Sequence, residues 1–357
     1  MKRIVLSGYY GFDNAGDEAV LAGLIKALGM QSSGREIAIE ALSSNPPATR
    51  RDHRIDASHR MRLGAVMRSL SRADLLASGG GSLLQDTTSR HGIFYYLAIV
   101  RLAQILGKRT MFIAQGIGPL TQPRSRKLTA SVANRLDAIT VRDTASADLL
   151  REIGVNIPRI EIAADPALLL DVSDDPSRGD EPSLPRSGVA VALRPWQNAT
   201  GALVSDLCTA WQTALAGQQP CFMSMQPAVD FPVNHQVAAC LGASISEPEG
   251  DLWTQVRTIR TVDMVVGMRL HALILAAAAG APIVAISYDP KVSAFLSEIG
   301  QEDAIYDIAN PDPIRLAALL EAVWNQRAAR ATSILKHLPE LRRRALLSAE
   351  IAIKLMG

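Results

Sequence analysis

The feature that most restricts the fold of this chain is a recurring alternation. Short apolar runs are each followed by a polar or glycine-rich turn and then by a segment of helical length. In the first half Ile4–Ser7, Ile37–Leu42, Asp74–Ser78, Thr110–Ala114, Ala138–Val141 and Ile160–Ala163 read as strands, with helices near Asp17–Leu28 and Ile93–Leu106. In the second half Val189–Leu193, Cys221–Met225, Asp263–Val266 and Pro282–Ile286 read as strands. Helices are expected there near Ala202–Leu215, Val233–Cys240, Leu252–Arg260 and Leu270–Ala279. Strands separated by helix-length segments require right-handed crossovers, and therefore parallel sheets. Aromatic residues make up only 4% of a chain that is 48% hydrophobic, which favours helices packed on sheets over an all-β fold.

At 357 residues the chain exceeds what one hydrophobic core usually covers. The composition changes between Asp171 and Ser187, where Asp, Pro and Gly crowd out apolar residues, as in an exposed linker. The expected architecture is α/β, with two Rossmann-like domains facing a central cleft. The first covers residues 1–172, the linker 173–187, and the second 188–357. Helical segments around Pro313–Trp324 and Leu338–Met356 finish the chain and are expected to pack back on the first domain.

Several function classes are disfavoured. A net charge of +2 does not predict a nucleic-acid partner. The three cysteines, Cys208, Cys221 and Cys240, lack metal-ligand spacing and read as small residues in a reducing compartment. Met1-Lys2-Arg3 leads into too short an apolar run for a signal peptide. The most apolar stretch, Leu270–Ile286, is broken by Gly280 and Pro282. A spanning helix needs about 20 apolar residues. A cytoplasmic location is expected, with contact at a membrane surface left open.

In parallel α/β sheets, ligands collect at the carboxyl ends of strands, where helix N-termini point their amides outward. Directly after the first strand comes Gly8-Tyr9-Tyr10-Gly11-Phe12-Asp13-Asn14-Ala15-Gly16-Asp17-Glu18, in which Asp13, Asn14, Asp17 and Glu18 supply acceptors for sugar hydroxyls. The same residues also suit a turn and a helix cap. The pattern differs from the dinucleotide fingerprint, so NAD is not inferred. Ser78-Gly79-Gly80-Gly81-Ser82 and Gln115-Gly116-Ile117-Gly118-Pro119 follow strands in the same way. Gly80, Gly81, Gln115 and Gly116 are candidates for a ligand wall, although close helix–strand packing also calls for glycine.

Arg142 follows the strand Ala138–Val141, where its guanidinium suits a carboxylate or phosphate; a pair with Asp143 or Asp148 is the alternative. Asp165-Pro166 reads as a turn. The strongest cluster is Gly267-Met268-Arg269-Leu270-His271, which opens an apolar helix. First-turn amides, Arg269 and Leu270 there suit a small anion, and His271 can move a proton near neutral pH. Lys291, in Tyr288-Asp289-Pro290-Lys291 after the next strand, is expected on the same rim. The arginine-rich stretch Arg50–Arg72 reads as a solvated face or as a contact for anionic headgroups or a diphosphate.

Taken together, these motifs resemble the polysaccharide pyruvyl transferase family, most closely its CsaB-type bacterial members. The resemblance implies a GT-B-like architecture and transfer of pyruvate from phosphoenolpyruvate to a sugar. In CsaB-type members the acceptor is N-acetylmannosamine of a lipid diphosphate-linked disaccharide. The product there is a 4,6-ketal in a secondary cell-wall polymer that anchors S-layer proteins. Catalytic or donor-binding positions of the family match Arg142, Arg269, His271 and Lys291, and the first loop matches the acceptor side. Phosphoenolpyruvate is then the donor substrate, and neither a cofactor nor a metal is called for. The competing expectations are a GT-B glycosyltransferase using a nucleotide sugar and a non-catalytic anion-binding protein.

Overall fold

A computed structural model describes residues 1–32, 34, 36–87, 92–175, 186–197, 200–245 and 251–357. Residues 176–185, most of the expected linker, lie outside the described residues.

All strand pairings within the two sheets are parallel. The first sheet holds β1 (Lys2–Tyr10), β2 (Ile37–Ser43), β3 (Asp56–His59), β4 (Leu75–Gly79), β5 (Arg109–Gln115), β6 (Ala138–Val141) and β7 (Ile160–Ile162). Its order is β3-β2-β1-β4-β5-β6-β7. The second sheet holds β8 (Val189–Ala192), β9 (Pro220–Phe222), β10 (Met264–Gly267), β11 (Ile283–Ser287) and β12 (Ile305–Asp307), in the order β12-β11-β10-β8-β9. Each is a Rossmann-like doubly wound sheet. The strand order reverses once in each, between β1 and β4 and between β8 and β10, and the crevice outside the carboxyl ends at such a point is where ligands bind.

The alternation in the sequence produces this because strands covered on both faces must be apolar throughout. Ile4, Val5 and Leu6 in β1 and Val189, Ala190 and Val191 in β8 are fully buried. Two strands go beyond those expected from the sequence. β3 lies inside the arginine-rich stretch, between the helices Pro46–His53 and Leu63–Arg72, and β12 is three residues long. Both are edge strands, which need little buried surface: Ala57 is buried in β3, and Tyr306 in β12.

The chain forms two compact units. One comprises Met1–Phe12, Asp17–Leu169 and Leu341–Gly357, the other Asp13–Gly16 and Leu170–Glu340. Of the two C-terminal helices expected to pack back on the first domain, only the end of the last one returns to the first unit, while the helix Pro313–Asn325 stays in the second. Arg344 donates to Ala163 O at 2.7 Å, the Thr140 and Ser348 hydroxyls lie 2.9 Å apart, and Arg109 reaches Leu355 O. The last helix, Arg327–Met356, continues through Pro339. The buried positions Ile334, Leu338, Leu341, Ala345, Ala349 and Ala352 keep helical spacing across it. Their packing outweighs the hydrogen bond the proline removes.

Candidate active site

In the first unit, Arg142 gathers several of the expected residues. It sits past the end of β6 and is 6% exposed. Its guanidinium donates to Asp165 Oδ2 at 3.1 Å and to Ser82 Oγ at 2.7 Å, and Asp143 Oδ2 lies 3.7 Å from Nε. A side chain at Gly116 would come within 3.0 Å of Arg142 Nε and 2.9 Å of Ser82 Oγ, so this glycine makes room for the guanidinium. Asp143 also caps the helix Thr144–Glu152 by accepting from Ser146 N. Asp165, which the sequence presented as a turn, is a buried counter-ion. Gln115 is fully buried, and its Nε2 donates to Gly81 O and Gly116 O. Its amide nitrogen thus holds the glycine loop against β5. The Gly80 amide donates to Ile113 O at 2.8 Å.

The loop after β1 is shared between the units. Glu18 is committed within the protein: Oε1 accepts from Gly11 N at 2.8 Å, and Oε2 lies 2.7 Å from His53 Nε2. Asp17 Oδ1 lies 3.0 Å from where a Gly81 side chain would begin. Burial, with Asp17 and Glu18 adding to it, holds the Tyr10 phenol well above its ordinary value, so it stays a neutral donor to Gly79 O. Asp13, exposed and with φ +54°, turns the chain, and Asn14 Oδ1 caps the following helix by accepting from Gly16 N.

The arginine-rich stretch is not uniformly solvated. Arg60 is buried, its guanidinium 4.1 Å from the Tyr95 ring centroid, 5.0 Å from Phe12 and 5.2 Å from Tyr96. The Tyr96 phenol is pushed up to about 12, burial outweighing the opposing pull of Arg60. Arg51, Arg54, Arg62, Arg68 and Arg72 are exposed.

In the second unit, the segment Asp13–Gly16 meets the strongest motif. Ala15 N donates to Met225 O at 2.7 Å, and Gly16 lies against His271, where an added Cβ would stand 2.4 Å from Nδ1. His271 is in the first turn of the helix Leu270–Ala278, which follows β10 and has Arg269 at its N-cap. Arg269 is gripped by a residue the sequence reading did not single out. Its Nε lies 3.1 Å from both oxygens of Asp230, and its Nη2 also donates to Oδ1. The Asp230 side chain is 0% exposed and accepts from Gln226 N as well. Four residues on, buried Asn234 bonds Leu193 N, Met223 O and Ser224 Oγ, tying the ends of β8 and β9. Polar residues one helical turn apart were the available signal for both. Lys291 follows β11, the neighbour of β10, and its amide is capped by Asp289 Oδ1 at 2.9 Å. Among the described residues no group of three or more His, Cys, Asp or Glu is placed to hold a metal ion.

Two Rossmann-like sheets, with arginine, histidine and lysine past strand ends, define an α/β protein of GT-B-like fold. Solved structures agree on the fold. A putative UDP-N-acetylglucosamine 2-epimerase from Listeria monocytogenes superposes with a TM-score of 0.65 at 14% identity, covering 97% of this chain and 94% of that one. The UDP-GlcNAc 2-epimerase of Neisseria meningitidis bound to UDP-GlcNAc gives 0.62 at 12% identity, over 99% and 100%. Anabaena HepE in complex with UDP-glucose gives 0.64 at 11%, over 99% and 98%. Residues 14–290 match the model of the polysaccharide pyruvyl transferase family, and the chain belongs to that family. It is therefore a transferase with a pyruvyl-transfer role in polysaccharide synthesis.

Proposed function

We propose that the donor is phosphoenolpyruvate and the acceptor a lipid diphosphate-linked disaccharide ending in N-acetylmannosamine, as in CsaB-type enzymes of secondary cell-wall polymer synthesis and S-layer anchoring. The observation that carries this reading is the contact of Gly16 with His271, which brings the motif matched to the acceptor against the candidate acid. Arg269, the first-turn amides from Leu270 onward and Lys291 suit the carboxylate and phosphate of the donor. Arg142, in the first unit, is assigned to the donor by the resemblance.

In the proposed reaction His271 protonates the methylene carbon, one sugar hydroxyl adds to the adjacent carbon, phosphate leaves, and the second hydroxyl closes the 4,6-ketal. Of the two hydroxyl protons, one replaces the proton given to the new methyl group and the other is carried away by phosphate. The histidine acts as general acid and then base, while the cations offset the donor's charge. No step calls for a redox cofactor.

A cytoplasmic site facing the membrane follows from a lipid-linked acceptor. Met61 and Leu63 are 69% and 70% exposed beside exposed Arg62 and Arg68, a pairing suited to an anionic bilayer surface. Among the described residues no helix is long and apolar enough to cross a membrane.

The test is incubation with phosphoenolpyruvate and a panel of lipid-diphosphate disaccharide mimics. The expected result is a pyruvate mass increment on the N-acetylmannosamine mimic with equimolar phosphate release. Near-wild-type ketal yield from folded His271→Ala would remove the acid role. The second reading, a nucleotide-sugar glycosyltransferase, draws on the fold shared with proteins whose structures hold UDP-GlcNAc and UDP-glucose. It gains if a UDP- or GDP-sugar is consumed and phosphoenolpyruvate is not.

A further inference from the structure

Arg142, Arg269 and Arg194 each stand past a strand end, and the first two are ion-paired. Arg142 has Asp165, and Arg269 has Asp230. The third, Arg194, belongs to none of the motifs above. It lies two residues past Ala192, the last residue of β8, and Ala192 pairs in register with Gly267 of β10. Arg269 lies two residues past Gly267, so the two arginines leave neighbouring parallel strands at equivalent positions, at the point where the strand order reverses. Met268 N donates to Ala192 O at 2.9 Å, which continues the pairing beyond the strands.

Arg194 is half-buried, and its Nε is buried with no hydrogen-bond partner among the described residues. Its Nη1 donates to the Tyr288 hydroxyl at 3.3 Å, and its guanidinium carbon lies 5.2 Å from the Tyr288 ring centroid. Trp196 backs that ring at 4.6 Å. Tyr288 is three residues from Lys291 in the same motif. A phenol and a ring face orient a guanidinium, but they bring no negative charge. Among the described residues no carboxylate pairs with Arg194. A partly desolvated cation without a counter-ion is costly, and a ligand anion relieves that cost.

We infer that Arg194 is a donor-binding residue, taking the carboxylate or phosphate of the anionic donor beside Arg269. The inference rests on the second unit being the donor side, and it adds a residue the resemblance does not assign. Tyr288, backed by Trp196, acts as a positioning residue for the guanidinium.

The test compares wild type with Arg194→Gln and Arg194→Lys. It measures KM for phosphoenolpyruvate and for acceptor, thermal stability, and calorimetric binding of phosphoenolpyruvate, inorganic phosphate and pyruvate. Arg194→Gln is expected to raise the phosphoenolpyruvate KM by about 30-fold or more, with acceptor KM within about 2-fold. Arg194→Lys, which keeps the charge but loses the fork, recovers part of that loss. Selective weakening of phosphate binding assigns the phosphate end, and selective weakening of pyruvate binding the carboxylate end. An unchanged phosphoenolpyruvate KM in a folded variant, or an equal rise in both KM values, overturns the inference. Should the Gln variant not fold, an unchanged KM in the Lys variant does the same. If wild type releases no phosphate from phosphoenolpyruvate, the donor reading has failed. The binding arms then decide separately: an unchanged affinity of Arg194→Gln for both phosphate and pyruvate overturns the anion role.

Discussion

Replacing Gly16 by alanine probes the contact on which the proposed chemistry depends. The new Cβ would stand 2.4 Å from His271 Nδ1, 2.8 Å from Cγ and 2.9 Å from Cβ. Unstrained contacts between such atoms lie near 3.5 Å, so the imidazole or the loop must yield by about 1 Å. The backbone itself would accept alanine. Gly16 is not among the residues with positive φ, and in a helix alanine ordinarily gains about 0.5–1 kcal/mol over glycine. The substitution therefore isolates a steric push on one side chain. A catalytic group moved by about 1 Å costs about 100-fold in rate, or about 2.7 kcal/mol of barrier. The assay is initial-rate phosphate release from phosphoenolpyruvate at saturating acceptor, with thermal denaturation alongside. We expect kcat to fall about 100-fold while Tm moves by only a few degrees. If the effect runs through the imidazole, adding Gly16→Ala to His271→Ala costs little more than His271→Ala alone. Wild-type kcat in folded Gly16→Ala would refute the reasoning.

Three further outcomes follow from particular contacts. Asp230→Ala strands the Arg269 guanidinium and should cost about 3–5 kcal/mol in chemical denaturation, since breaking a buried pair leaves an uncompensated charge; a loss below about 1 kcal/mol would contradict the pairing. Burial works to raise the Asp86 carboxyl, but the amides of Thr121 and Gln122 and the hydroxyls of Thr121 and Ser125 together hold it below the usual range. Its stabilisation is thus present at neutral pH and lost as pH falls through the carboxylate range, and Asp86→Asn should cost about 1–3 kcal/mol at pH 7 while flattening the acid limb of the stability curve. Paired Met61→Asp and Leu63→Asp should abolish sedimentation with anionic phosphatidylglycerol vesicles without changing turnover on a soluble acceptor mimic, and undiminished sedimentation would rule out the patch.

The strands and the loops that carry chemistry were legible because each is a local pattern: a run of apolar residues, then glycine and charge. Arg142, Arg269, His271 and Lys291 all stand just past strands, as their motifs indicate. Their counter-ions were not legible. Asp165 reads locally as a turn before proline, and Asp230 as one acid on an apolar helix, because the partner of each is 23 or 39 residues away. Arg194, like Arg269, follows a strand, but only the register of β8 against β10 shows that they stand side by side. Glu18 and Gln115 show the converse. Each has the polar type a ligand site needs, yet Glu18 holds Gly11 and His53, and Gln115 holds the glycine loop.

The amino-acid order by itself determines the parallel α/β architecture, the family and the set of basic groups brought to strand ends, since apolar periodicity and turn chemistry act over a few residues. Tertiary structure decided which charges are compensated. It placed Gly16 against His271, buried Asp230 beneath Arg269 and, among the described residues, set Arg194 against the phenol and ring of Tyr288 with no carboxylate. Whether a charge needs a ligand depends on its burial and its neighbours, and sheet packing sets both across distances the local pattern does not encode.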